Sequence, residues 1–211
     1  MAYAVKEVYF TLQGEGVNAG APSVFCRFSG CNLWNGLETS RAGAVCKFCD
    51  TDFVGMDGAM GGRYASAESL GYSISTLWGK SCSAPRLVVF TGGEPLLQLD
   101  QKLVDCLHGL GFSVAIETNG TMLPPKGLDW TCVSPKAGAP LNCIQGDELK
   151  LVFPQIGLEP DFFQGLDFNN FLLQPMSGSN LVANTLAAAE YCYVNPNWLL
   201  SLQVHKFADI P

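Results

Sequence analysis

Arg86-Leu87-Val88-Val89-Phe90-Thr91-Gly92-Gly93-Glu94-Pro95 is the stretch that decides the fold. Its first half is almost continuously apolar, the pattern of a strand buried on both faces, as in a parallel sheet. Its second half turns polar at once, with glycines and a proline to stop the strand. The same sequence of events recurs. Phe112-Ser113-Val114-Ala115-Ile116 runs into Glu117-Thr118-Asn119-Gly120, Thr131-Cys132-Val133 into Ser134-Pro135-Lys136, and Phe171-Leu172-Leu173 into Gln174-Pro175-Met176-Ser177. Leu149-Lys150-Leu151-Val152-Phe153 and Trp198 to Val204 complete the set.

Working outward, helical spacing fills several of the gaps. Ser66 caps a helix running to about Trp78, with Leu70, Ile74, Leu77 and Trp78 on one face; Ser69 is too weak to complete a capping box. A second helix carries Leu99, Leu103, Leu107 and Leu110. A short one is expected between Leu158 and Phe168, and a clear one over 180–193 with Leu181, Thr185, Leu186 and Ala189 facing inward. Upstream, Ala4 to Phe10 and Ser23 to Ser29 read as strands, while 32–45 and 56–64 read as loops. Residues 120–147 leave little room for a helix. Alternating strands and helices predict parallel βαβ units, with about six core strands counted from Ser23. The expected fold is α/β: a single domain over 1–211, built as a partial, open (β/α)6-type barrel with incomplete helical cover and with ligands gathered at the strands' carboxyl ends.

The chain has 211 residues, a formal charge of −7 and 48% hydrophobic against 15% charged residues, which fits one compact domain and argues against disorder. No run of Lys or Arg offers a phosphate-binding surface, so no nucleic-acid partner is expected. No apolar stretch approaches the ~20 residues of a membrane span. The residues from Met1 to Glu7 lack a secretion signal's layout, so the expectation is a cytoplasmic protein. Nine cysteines, an odd set scattered along the chain, suit reduced thiols better than a disulfide scaffold.

Three of those cysteines stand in a distinctive setting. Cys31 ends an apolar run, and Cys46-Lys47-Phe48-Cys49 can place two thiolates on one centre. A structural zinc takes four protein ligands, whereas a four-iron cluster held by three thiolates leaves one iron free to bind something else. The trio is therefore read as a catalytic iron–sulfur site. The alternative is a non-enzymatic zinc module using Cys26, Cys31, Cys46 and Cys49, which strand alternation disfavours by aligning Cys26 with Val24 and Phe28.

Two further features invite a function. In Leu12-Gln13-Gly14-Glu15-Gly16 the glycines allow close backbone approach, and Gln13 and Glu15 suit the edge of a flat heterocycle; a surface hairpin turn would read the same way. Arg27, in an otherwise apolar strand, either faces solvent or binds a carboxylate.

With Gly30-Cys31-Asn32-Leu33-Trp34, Cys46-Lys47-Phe48-Cys49-Asp50-Thr51 and Gly92-Gly93-Glu94-Pro95 in one chain, the sequence resembles the radical S-adenosylmethionine superfamily. Adding residues 12–16, 117–120, 134–136 and 174–176, it is most similar to the 7-carboxy-7-deazaguanine synthase family, over nearly its whole length. The sequence departs from the superfamily's usual C-x3-C-x2-C spacing, because fourteen residues separate Cys31 from Cys46. The insertion, Asn35 to Val45, makes an enlarged cluster-binding loop over 31–51.

The resemblance implies a [4Fe-4S] cluster on Cys31, Cys46 and Cys49, with S-adenosylmethionine bound by Phe48, Asp50, Gly93, Glu94, Asn119, Ser134, Pro135, Lys136, Gln174, Pro175, Met176 and Ser177. It implies 6-carboxy-5,6,7,8-tetrahydropterin as substrate, held by Leu12, Gln13, Gly14, Glu15, Arg27, Thr91, His205 and Pro211, with Arg27 on the carboxylate. Thr51 resembles a Mg2+ ligand, although a turn or cap residue would look the same; His205 alone could equally be an ordinary histidine. The implied reaction contracts the pterin ring, releases ammonia, regenerates S-adenosylmethionine and yields 7-carboxy-7-deazaguanine. No acid or base is assignable beyond Glu15 as a candidate for proton transfer. A flavodoxin or ferredoxin as electron donor and a homodimer are also expected. The rival within the superfamily is a glycyl-radical activating enzyme, which would consume S-adenosylmethionine stoichiometrically and act on a protein.

Overall fold

A computed structural model describes residues 2–79 and 82–211; Met1, in the run read for a secretion signal, lies outside them. Strands β1 (Tyr3–Leu12) and β2 (Pro22–Phe28) form an antiparallel hairpin. The cluster loop follows, with a 3₁₀ turn at Glu38–Gly43, and the chain returns as β3 (Gly62–Tyr64) against the outer side of β1. Then come α1 (Ala67–Leu77), β4 (Leu87–Gly92), α2 (Gln101–Gly109), β5 (Ser113–Thr118), β6 (Trp130–Val133), β7 (Gln145–Phe153), β8 (Asp167–Pro175), α3 (Leu181–Val194), β9 (Trp198–Leu200) and α4 (Val204–Ala208).

All nine strands join one sheet in the order β3-β1-β2-β4-β5-β6-β7-β8-β9. From β2 to β9 every pairing is parallel, and the sheet does not close on itself. The expected open barrel with sparse helices is therefore present, widened by β9 on one side and by the antiparallel β1 and β3 on the other.

Period-two alternation sorts each strand between two faces. On β2, Val24, Cys26 and Phe28 are fully buried with Val88, Phe90, Val114 and Ile116 beneath α1 and α2. Phe25 and Arg27 point to the opposite side, into a cavity. On β7, Leu149 and Leu151 pack with Leu173, Ala188 and Trp198 near α3, while Lys150 and Val152 line that same cavity. Two apolar clusters thus cover one face, and the open face is left for chemistry. The four-thiolate zinc module fails on this alternation, since Cys26 lies in the helix-covered core and cannot reach Cys31, Cys46 and Cys49 in the cavity wall.

Five local expectations change, the first being that 56–64, read as loop, ends in the short strand β3. Ser69 does complete a capping box: its hydroxyl accepts from the Ser66 amide at 3.2 Å while Ser66 accepts from the Ser69 amide at 3.3 Å, so serine substitutes for the usual Glu or Gln. Only a 3₁₀ turn, Pro160–Phe163, forms in the 158–168 region. On α3 Ala188 is the fully buried residue and Leu186 points outward, because the helix lies over β8 and the edge strand β9 along a narrow stripe that includes Ala188, Tyr191 and Cys192. The last strand stops at Leu200; the Val204 amide then donates to the Gly14 carbonyl at 2.8 Å, turning the chain into α4 across the mouth of the cavity.

Candidate active site

One cavity of about 430 Å3 occupies the open face, a size suited to a small ligand. Its wall is built from the ends of successive strands: Arg27 from β2, Thr91 to Gly93 at the end of β4, Glu117 to Asn119 at the end of β5, Ser134 and Lys136 after β6, Lys150 and Val152 on β7, and Gln174, Pro175 and Ser177 at the end of β8. Leu12 to Glu15 close one side; His205 and Pro211 close another; Cys31, Cys46, Phe48, Cys49, Asp50 and Thr51 close the third. Twenty-one residues singled out from sequence therefore share one cavity.

Glu94, Pro135 and Met176 do not line it. Glu94 is 0% exposed. Its carboxylate accepts from the Leu96 amide at 2.9 Å, the Asn119 amide at 2.8 Å and the Thr118 hydroxyl at 2.7 Å. Burial pushes its pKa up against those donors. In this arrangement Glu94 ties the loop after β4 to the loop after β5, and Asn119 passes the tie on by donating to Asn32 Oδ1 at 2.9 Å beside Cys31.

At the floor lies a charge cluster. Lys150 Nζ donates to Glu15 at 2.5 Å and Glu117 at 3.1 Å, with its side chain only 4% exposed. Gln13 donates to Glu117 at 2.9 Å and accepts from the Glu15 amide at 3.1 Å; Gln203 donates to Glu15 at 2.8 Å. Burial pulls the Lys150 ammonium down, but the Glu117 and Glu15 carboxylates outweigh it and hold its pKa well above the ordinary lysine value. Burial likewise pushes Glu15 up, yet Lys150 and the amide donors of Gln203 and Gln174 bring it to about 2. A carboxylate held so firmly ionised is poorly matched to proton exchange near neutrality. Glu15 fixes Lys150 through its carboxylate and the Gln13 to Glu15 loop through its amide.

Arg27 has a carboxylate partner inside the chain: its Nε donates to Glu7 at 2.8 Å, and Nη2 donates to the Tyr9 hydroxyl at 3.2 Å. The β1 register slips between Val5 and Glu7, which lets the adjacent Lys6 and Glu7 both reach the cavity wall. Sequence reasoning missed Glu7, Tyr9, Lys150, Glu117, Gln203 and Lys206. A signal existed for Lys150, a cation in an apolar strand like Arg27, and for Glu117, which opens a loop already singled out. None existed for Lys206, whose Nζ meets Asp50 at 2.6 Å and the Ser177 hydroxyl at 3.1 Å across the cavity mouth.

The donor chemistry at the third wall suits an iron–sulfur cluster, while among the described residues no three His, Cys, Asp or Glu side chains gather closely enough to hold a single metal ion. All three cysteines of the loop are free thiols facing one cavity. Cys31 Sγ already accepts from the Leu33 amide at 3.4 Å, the kind of N–H···S bond that tunes cluster sulfurs. A hydrogen bond from Cys46 lowers the Cys49 thiol to about 6, against the opposing effect of burial, so a thiolate is accessible near neutral pH. Three soft donors on one wall, with the cavity open before them, suit a cluster with one iron left for a further ligand. Lys136, whose pKa burial pushes down, donates to the Ser134 hydroxyl at 2.7 Å nearby.

Gly93 sits where the loop after β4 crosses Cys31. A Cβ there would fall on the Gly30 carbonyl and lie 2.6 Å from Cys31 Cβ, backbone and thiol arm that have little room to yield. Gly93→Ala is expected to cost about 1–3 kcal/mol in urea unfolding, as overpacking does, and to lower iron uptake by shifting Cys31. Wild-type stability and iron content together would contradict the crowding.

Among known proteins, the chain is 58% identical over 211 residues to 7-carboxy-7-deazaguanine synthase of Bordetella pertussis, with 100% of each chain covered. It is 57% identical over 210 residues to 7-carboxy-7-deazaguanine synthase of Bradyrhizobium diazoefficiens, again with 100% of each covered. Among solved structures it aligns with QueE from Escherichia coli at a TM-score of 0.72 and 28% identity, covering 97% of this chain and 95% of that one. No protein-family model matches the chain.

Proposed function

The chain belongs to the 7-carboxy-7-deazaguanine synthase family of radical S-adenosylmethionine lyases, and from that membership we propose how its cavity divides the work. Cys31, Cys46 and Cys49 hold the [4Fe-4S] cluster. Phe48, Asp50, Gly93, Asn119, Ser134, Lys136, Gln174, Pro175 and Ser177 surround S-adenosylmethionine, while Glu94, Pro135 and Met176 support that wall from behind. When bound, this pair supplies one-electron cleavage and a hydrogen-abstracting radical, and the protein's part is orientation and exclusion of water.

The substrate is 6-carboxy-5,6,7,8-tetrahydropterin, converted to 7-carboxy-7-deazaguanine with ring contraction and loss of ammonia in 7-deazapurine biosynthesis. The observation that carries this reading is the single cavity with thiols on one wall and the Lys150–Glu15–Glu117 cluster and Arg27 elsewhere on its lining. Glu15 and Glu117 present carboxyl oxygens fixed at the floor, matched to the N–H donors of an aminopyrimidinone edge. Arg27 keeps Nη1 free of the bonds to Glu7 and Tyr9, so its guanidinium retains a donor for the substrate carboxylate. Leu12, Gln13, Gly14, Thr91, His205 and Pro211 complete the pocket, and in this reading Thr51 offers Mg2+ a hydroxyl oxygen.

A flavodoxin or ferredoxin is the electron donor in this reading. A homodimer is supported by the outer surface of α3 and its neighbours, where Val182, Tyr193 and Val194 are 76%, 82% and 76% exposed. Free thiols throughout the described chain suit a reducing cytoplasm, and no helix among the described residues is long and apolar enough to cross a membrane.

Anaerobic turnover tests the assignment. Product should form from the carboxypterin while S-adenosylmethionine is not consumed; 5′-deoxyadenosine accumulating in step with product would overturn it. In the same assay Arg27→Gln should weaken substrate binding by about 1.5–3 kcal/mol, the loss of a charge-assisted hydrogen bond, with the change seen in KM.

A further inference from the structure

The insertion Asn35 to Val45 lengthens the path between Cys31 and Cys46, and a longer loop is tolerated thermodynamically, at about 0.6 kcal/mol per doubling. What it endangers is geometry, since each added residue loosens the distance between the ligands at its two ends. The structure shows how that is countered. The excursion returns to its origin, where the Val45 and Cys46 amides donate to the Leu33 carbonyl at 3.1 and 3.5 Å. Inside it, the 3₁₀ turn Glu38–Gly43 projects Arg41 back over the loop.

Arg41 uses both edges of its guanidinium. Nε donates to Glu38 at 2.7 Å, and Nη2 pairs with the other oxygen of the same carboxylate. Nη1 donates to the Lys47 carbonyl at 3.0 Å and the Cys49 carbonyl at 3.1 Å, the two residues that flank Phe48. The guanidinium carbon lies 3.9 Å from the centre of the Trp34 ring, three residues after Cys31. Trp34 is itself fixed edge-on to Phe53 at 5.6 Å and donates to the Leu37 carbonyl at 3.2 Å. One side chain therefore touches the segment after Cys31, the backbone between Cys46 and Cys49, and the insertion itself.

We propose that Arg41 is the positioning residue of the cluster loop, holding Cys46-x-x-Cys49 in register with Cys31 and so setting how firmly the cluster is retained. The inference rests on the reading of these cysteines as cluster ligands. Lysine cannot replace arginine in this role, because a point ammonium offers no planar fork to span a carboxylate, two carbonyls and a ring face.

The test uses the full-length protein reconstituted with iron and sulfide under anaerobic conditions. Arg41→Gln is expected to unfold at the wild-type temperature yet release iron to a chelator about 10–100-fold faster, as loss of an outer-shell partner does. Arg41→Lys should behave like Arg41→Gln. Iron release at the wild-type rate in Arg41→Gln overturns the proposal, and a wild-type rate in Arg41→Lys overturns the fork as its cause. If Arg41→Gln does not fold, Glu38→Gln carries the test: it keeps the guanidinium but removes its anchor, and faster release supports the role while unchanged release sinks it. A wild-type protein that takes up no iron overturns the cluster reading beneath it, a result distinct from equal release rates.

Discussion

Lys150→Met is expected to lower the unfolding free energy by about 3–5 kcal/mol, the cost of breaking a buried ion pair by removing one partner. The magnitude follows from what is left behind. Glu15 and Glu117 would face each other across the Gln13 side chain with no cation between them. Glu148, also buried, stands on the same strand two residues away. Denaturant unfolding of the variant measures the loss. Adding Glu15→Gln and Glu117→Gln to Lys150→Met should recover most of it, because two neutral amides no longer demand a counter-charge. A Lys150→Met protein as stable as wild type would show that the floor cluster holds no fold together.

The same cluster sets an acid limit. Glu15 has a folded-state pKa of about 2 against an ordinary value of 4.5, so the unfolded chain binds its proton more readily. Its contribution is fully present above about pH 4.5 and is lost as pH falls toward 2. Lys150, held above its ordinary value, acts in the opposite sense: its contribution is complete below the ordinary lysine pKa and declines as pH rises through the folded one. Stability from this cluster should therefore be flat across neutrality. The triple variant should show a shallower acid limb than wild type in a pH series of unfolding curves.

The frame of this molecule was legible because its signals are local. Leu87 to Gly92 announces a two-sided strand by apolar continuity, and the polar residues after each strand announce where ligands gather, which is where the cavity lies. The cavity's depth was harder to read. Lys150 sits in a run that otherwise looks like core, and only the pairing of β7 between β6 and β8 turns its side chain toward Glu15, 135 positions earlier. Arg27 and Glu7 meet as directly opposed residues of the β1–β2 hairpin, a register that the alternation of either strand alone does not give. Glu94 sounded like a ligand contact, yet three donors from two loops claim its carboxylate. In each case a long-range partner decided the role, and one chain read alone does not display such partners.

Cys46→Ala should reduce iron from about four per reconstituted chain toward none, and abolish product formation, while leaving the fold intact. Cys46 is 6% exposed at the end of the insertion, apart from both apolar clusters, so removing its sulfur opens no void in the core. What it removes is one of three thiol donors and the hydrogen bond that lowers Cys49. Two donors cannot hold a cluster that needs three protein thiolates and an open fourth corner. Without its partner Cys49 should also titrate higher, so slower alkylation of the metal-free variant at neutral pH offers a readout independent of turnover. Cys106→Ala is the matched control, since that thiol contacts the Ala67 carbonyl at 3.6 Å beneath α1, on the helix-covered side of the sheet. If Cys46→Ala kept its iron and its activity while Cys106→Ala lost them, the ligand set would have to be sought elsewhere, and the insertion would have no cluster to position.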